Sequence, residues 1–221
     1  MDKNITTVVF WGALWGLVEA TLGYVLHSMP LSVGWFFWFP LAFYFINKVY
    51  SSTGSLSSIL YTSSIAAGIK LVNFFLPTTI DRVINPAMSI LLEGLMVFIV
   101  FAIIEKKEGF FQSKYTIALT ASIGWRVLYI IYILFMPTFF FTVSPMRAAK
   151  PFFKFFVTES FMNSLFIYVY LKVSERIGDA KLNVSKNEVN SKLFSLKDNP
   201  IIRISVSLTV LSLAIFAQWA L

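Results

Sequence analysis

Seven stretches of this sequence are apolar over roughly the 20 residues that a helix needs to cross a bilayer. They run from Val8 to Ser28, Gly34 to Tyr50, Ser57 to Leu76, Ile84 to Ile104, Tyr115 to Met136, Phe152 to Lys172 and Ile201 to Ala220. The pattern predicts an all-α membrane protein. The second stretch is the shortest and contains Pro40, which removes a backbone donor, so a kink is expected there. The first runs past the usual length of a signal-peptide core and is not followed by a small-x-small cleavage site, so it reads as a mature helix. From Val173 to Pro200 the composition turns polar, rich in Asn, Ser, Lys and Asp. That stretch reads as a linker separating six helices from a solitary seventh. The expected organisation is a six-helix transmembrane substrate-binding bundle over 1–176, a polar cytoplasmic linker over 177–200 and an additional C-terminal hydrophobic helix over 201–221. Between the fifth and sixth stretches, PTFFFTVSPMRAAKP (Pro137 to Pro151) carries three prolines and a Phe triplet, and suggests an ordered loop lying over the bundle.

Composition agrees with this reading. Hydrophobic residues make up 57% of the 221 positions and charged residues 13%, with a mean hydropathy of +0.76. Soluble domains carry about 25% charged residues. Cysteine is absent, which excludes disulfides, thiolate metal sites and thiol catalysis, and a single His leaves no multi-histidine metal cluster. No metal or cofactor is expected. The net charge of +7 would raise the question of nucleic acid on a soluble chain. With the N-terminus cytoplasmic, however, twelve Lys and Arg fall in inner segments and four (Arg82, Arg147, Lys150 and Lys154) in outer ones. That bias is the positive-inside signal of an integral plasma-membrane protein, and it requires no nucleic-acid partner. A seventh span would put the C-terminus outside.

Five ionisable residues fall deep inside spans: Glu19, Lys70, Glu93, Arg126 and Glu159. Each costs about 2.5–3.5 kcal/mol at a helix centre, so together they need a reason. At about 1.5 Å per residue, Glu19, Glu93 and Arg126 lie near the midplane, with Lys70 and Glu159 on the order of 5 Å toward the outside. A cavity opening outward is the simplest arrangement that solvates this slab. Each charge has small or polar company at helical spacing. Gly12, Gly16, Ala20, Gly23 and His27 share the face of Glu19, and Ser63, Ala66, Ala67 and Asn73 share that of Lys70. Ser89 precedes Glu93 by one turn, Ser122 and Tyr129 flank Arg126, and Asn163 follows Glu159. The candidate solute-binding set is therefore Glu19, Lys70, Asn73, Glu93, Arg126, Tyr129, Glu159 and Asn163, with Trp35, Trp38, Trp125 and Tyr129 as aromatic walls.

Structural roles compete with this reading. Arg126 can staple Glu93 or Glu159, Lys70 can snorkel to the interface, and the small residues of the first span can serve close packing within the chain. Pairing arithmetic favours more than staples, because two cations against three carboxylates leave one acid over. That acid is either protonated or awaits a cationic or zwitterionic solute. Enzymatic chemistry finds no support. The sequence holds no GxxxxGK[ST] loop, no HExxH and no nucleophile elbow to partner its one His, and no catalytic residue is expected.

WGALWGLVEATLGYVLH (Trp11 to His27) and NPAMSILLEGLMVFIVF (Asn85 to Phe101) resemble the substrate-binding S components of energy-coupling factor (ECF) transporters. The resemblance covers Met1 to about Arg176. It implies a six-helix protein that captures a vitamin, a precursor or a related micronutrient from outside, surrounded by membrane lipid and energised by a transmembrane coupling subunit and ATPase subunits. It implies further that Gly12, Gly16 and Ala20 meet that coupling subunit. The seventh span departs from the family's six, and the density of midplane charge exceeds what a vitamin pocket requires. That density leaves open a proton- or ion-coupled secondary transporter acting alone. An intramembrane hydrolase or transferase is the third reading.

Overall fold

The computed structural model describes residues 3–28, 37–75, 80–106, 113–135, 152–184 and 200–220. All regular structure among them is helical: α1 (Lys3–Ser28), α2 (Trp38–Thr53), α3 (Ser57–Leu71), α4 (Ile80–Lys106), α5 (Lys114–Phe135), α6 (Glu159–Val184) and α7 (Pro200–Ala220). A 3-10 turn, Val72–Phe75, extends α3, and a π-helical turn, Lys154–Thr158, leads into α6. Four segments are long and apolar enough to cross a membrane: Asn4–Leu22, Ser57–Phe75, Val83–Lys106 and Lys114–Phe135. The protein is membrane-embedded. Trp35, the Pro137–Pro151 loop and linker residues 185–199 lie outside the described residues.

Two sequence expectations about helix geometry change. Pro40 does not interrupt its helix. Because α2 begins at Trp38, Pro40 falls in the first turn, where a backbone N–H has no intrahelical acceptor to lose. The interior proline is Pro86 of α4, which deletes the bond to the carbonyl of residue 82. The polar stretch after Val173 also begins as helix rather than linker. α6 continues to Val184 through Glu175, Arg176, Ala180, Lys181 and Leu182, residues with good helix propensity. The turn from α2 to α3 is tight. Gly54 takes the left-handed conformation (φ 65°) and donates its N–H to Tyr50 O at 2.8 Å, while Thr53 Oγ1 donates to Ser58 Oγ at 2.8 Å.

Neighbours run in the order α7, α1, α3, α4, α5, α6, and α2 packs against α1, α3, α4 and α6. The seventh helix is thus not solitary. Ser207 Oγ donates to Thr6 O at 3.2 Å, and Ala214 of α7 is fully buried in a cluster with Ala13 of α1 and Ile69 of α3. Small residues set how closely these helices approach. A Cβ placed on Gly16 would lie 2.6 Å from Ile69 Cδ1, and one on Gly12 would lie 2.9 Å from Ile65 Cβ. Gly94 of α4 accepts Ser63 of α3 in the same way, and Gly124 of α5 accepts Met96 of α4. The face that the resemblance assigned to a coupling subunit is therefore occupied at Gly12 and Gly16 by the chain's own α3, and Ala20 is buried as well.

Toward the end that carries Thr53, Lys106 and Lys114, the interior is apolar. Phe43, Ile46 and Val49 of α2 meet Val97, Val100 and Phe101 of α4, Ala118 of α5 and Ile167 of α6 in one buried apolar cluster. Phe43 stacks edge-on against Phe101 and Tyr170, with ring centroids 6.0 and 6.3 Å away. Lys114 and Glu175 pair across α5 and α6 at this end, and the Lys114 ammonium holds the exposed Glu175 carboxyl below its ordinary range.

These approaches make a paired prediction. Gly16→Leu overpacks the α1–α3 contact and is expected to cost about 1–3 kcal/mol of stability. At Gly68 an added Cβ meets nothing within 4 Å. Gly68→Leu is expected to stay within about 0.5 kcal/mol of the parent, as surface changes do. Melting of both variants in detergent measures the difference.

Candidate functional site

Each of the five intramembrane charges stands on a different helix. Following neighbours from α1 through α3, α4 and α5 to α6 gives Glu19, Lys70, Glu93, Arg126 and Glu159, so their signs alternate along the row.

The α5–α6 end of the row is closed upon itself. Arg126 is 0% exposed, and its Nη2 lies 3.7 Å from Glu159 Oε2. Its Nη1 donates to Ser122 O at 3.0 Å, one turn back on α5. The guanidinium also lies over two aromatic rings, 4.7 Å from that of Trp125 and 5.1 Å from that of Phe155. The π turn places Phe155 and Glu159 here together. Glu159 N–H donates to Lys154 O five residues back, and Ser160 Oγ satisfies Phe156 O at 2.6 Å. Around the guanidinium, Trp125, Tyr129 and Phe155 pack with centroids 5.8–6.1 Å apart, and Phe39 of α2 adds a face 5.5 Å from Trp125. Asn163 is fully buried one turn beyond Glu159.

At the α1–α3 end contacts are longer. Glu19 is partly buried and accepts from Trp15 Nε1 at 3.3 Å. Lys70 lies in its electrostatic reach without forming an ion pair among the described residues. Lys70 is half-buried in the last turn of α3, where the carbonyl end of the helix favours a cation. Asn73 stands on the 3-10 turn just beyond it, also half-buried.

Glu93 lies between these ends, at the midpoint of α4. It is 3% exposed, and its hydrogen bond is a long one, from Ser89 Oγ at 3.5 Å. It sits in the field of Arg126 and of the like-charged Glu19, and it forms no ion pair among the described residues. Buried polar atoms with no hydrogen-bond partner among the described residues include Ser122 Oγ, Trp125 Nε1 and Thr62 Oγ1.

Of the expected site residues, Arg126, Glu159, Tyr129 and Trp125 form one cluster, Glu19 and Lys70 a second, and Glu93 joins the two electrostatically. Trp38 is only half-buried. Phe39 and Phe155 complete the aromatic packing, and nothing distinguishes them in a sequence with 24 phenylalanines. Fold and site together define a membrane-embedded, all-helical protein with a row of charges of alternating sign, one on each of five helices. No family model, curated protein or solved structure matches the chain.

The Arg126–Glu159 pair gives a prediction of its own. Arg126→Ala leaves Glu159 buried without its cation and is expected to cost about 3–5 kcal/mol, as is Glu159→Ala for the opposite reason. The double change Arg126→Met with Glu159→Leu removes both charges, and its melting temperature is expected to recover most of that loss.

Proposed function

We propose that this chain is the membrane-embedded substrate-binding subunit for uptake of a small polar nutrient, of the vitamin or precursor class, energised by a separate coupling and ATPase module. In this reading α1 to α6 form a six-helix, S-component-like bundle in the plasma membrane, with the N-terminus cytoplasmic and α7 an additional helix packed on α1. The observation that carries the reading is Glu93. A carboxylate buried at mid-membrane with one long hydrogen bond and no ion pair among the described residues is costly unless something else binds it. The resemblance assigned Gly12, Gly16 and Ala20 to the coupling subunit. With Gly12 and Gly16 packed on α3, a coupling subunit would dock elsewhere on the chain.

Glu93 also favours a second reading. A proton could neutralise it as well as a solute can, which makes the chain a stand-alone proton-coupled carrier.

Native mass spectrometry of the purified chain, followed by reconstitution in liposomes, separates the two. The binding-subunit reading expects a retained small molecule and no accumulation of that molecule by the chain alone under a pH gradient. Accumulation by the chain alone supports the carrier, and absence of any retained or re-bindable molecule counts against both.

A further inference from the structure

The charges of the site do not all remain available to a solute. Arg126 and Glu159 neutralise one another at 3.7 Å, and Lys70 offsets Glu19 over a longer distance. Two cations against three carboxylates leave one negative unit, and the carboxylate without an ion pair among the described residues is Glu93. Its one hydrogen bond, from Ser89, is 3.5 Å long, so its oxygens retain acceptor capacity in a place that is 3% exposed.

The aromatic surroundings narrow the chemistry further. A cation can be bound in a membrane by aromatic faces or by a hydrogen-bonded carboxylate. The faces of Trp125 and Phe155 are already engaged by the Arg126 guanidinium, at 4.7 and 5.1 Å. A quaternary ammonium, which has no N–H to donate, would therefore gain little here, whereas an N–H donor meets an acceptor in Glu93.

Resting on the solute-binding reading above, we propose that the solute is a small organic monocation of the protonated amine or amidine class. Its N–H groups donate to Glu93, whose acceptor capacity is used there only by the long bond from Ser89. The solute supplies the positive unit that the helices lack. Because Glu19 adds a second negative field from α1, a cation is favoured over a neutral isostere of the same shape.

The test is thermal stabilisation of the full chain in detergent by five probes of similar shape and different charge: benzylamine, benzamidine, benzyltrimethylammonium, benzyl alcohol and benzoate. Benzylamine and benzamidine are expected to raise the melting temperature and the other three to leave it unchanged. In Glu93→Gln the affinity for the two stabilising probes is expected to fall roughly 10- to 100-fold, as loss of a charge-assisted hydrogen bond implies. Glu93→Asp, which keeps the charge, is expected to retain binding and serves should the Gln variant not fold. Stabilisation by benzoate or benzyl alcohol would overturn the cation inference while leaving a solute site in place. Stabilisation by benzyltrimethylammonium equal to that by benzylamine would overturn the requirement for an N–H. Stabilisation by none of the five would overturn the cation inference, while a small molecule retained in native mass spectra of the same preparation would leave the solute-binding reading in place.

Discussion

A charge held in the interior of a membrane protein has little water to solvate it, so every ionised side chain there must find its counter-charge and its hydrogen bonds on neighbouring helices. The Arg126–Glu159 pair is where this constraint is met most completely. The guanidinium has a carboxylate at 3.7 Å, a backbone carbonyl at 3.0 Å and the aromatic rings of Trp125 and Phe155 at 4.7 and 5.1 Å. Meeting it takes residues from α5, the π turn and α6 in one arrangement, with Phe39 of α2 packed behind Trp125. Together with the Lys114–Glu175 pair at the other end, it fixes α5 against α6 at two levels. The π turn belongs to the same requirement, because it brings Phe155 and Glu159 to Arg126 together.

Glu93 is the contrast that this arrangement exposes. It has comparable burial, yet its hydrogen bond among the described residues is one long contact from Ser89, and it sits in the fields of both Arg126 and the acidic Glu19. One end of the row is thus a completed ion pair with a structural role, and the middle is an acid kept in an unfavourable place. Buried charge without full compensation is retained where function requires it, and a binding site spends stability in this way.

Much of this was legible as departures from apolar monotony. The five charges, and the Ser and Asn residues one turn from them, stand out because a lipid-facing helix has no use for them. Arg126 beside Glu159 was among the pairings that charge arithmetic allowed. The close-packing stripe of Gly12 and Gly16 was readable too, but its partner was not, since Ile65 and Ile69 look like any other apolar residues of α3. The same blindness covers Phe155 and Phe39, two phenylalanines in a chain that has many. Pro40 misled because its effect depends on where the helix starts. Residues 34–37 are as apolar as α2 itself, and nothing in their pattern marks Trp38 as the first turn. The docking of α7 on α1 through Ser207 and Thr6 is a tertiary contact 201 residues apart in sequence, beyond the reach of any local pattern.

The central claim is that Glu93 is kept for a bound solute and not for the fold. The melting temperature of solute-free Glu93→Gln, compared with that of the solute-free parent, tests it most directly. The substitution keeps the shape and the hydrogen bond with Ser89 while removing a buried charge that lacks an ion pair. The account predicts a melting temperature equal to or above the parent's. A fall of several degrees, of the kind expected when a structural ion pair is broken, would contradict it.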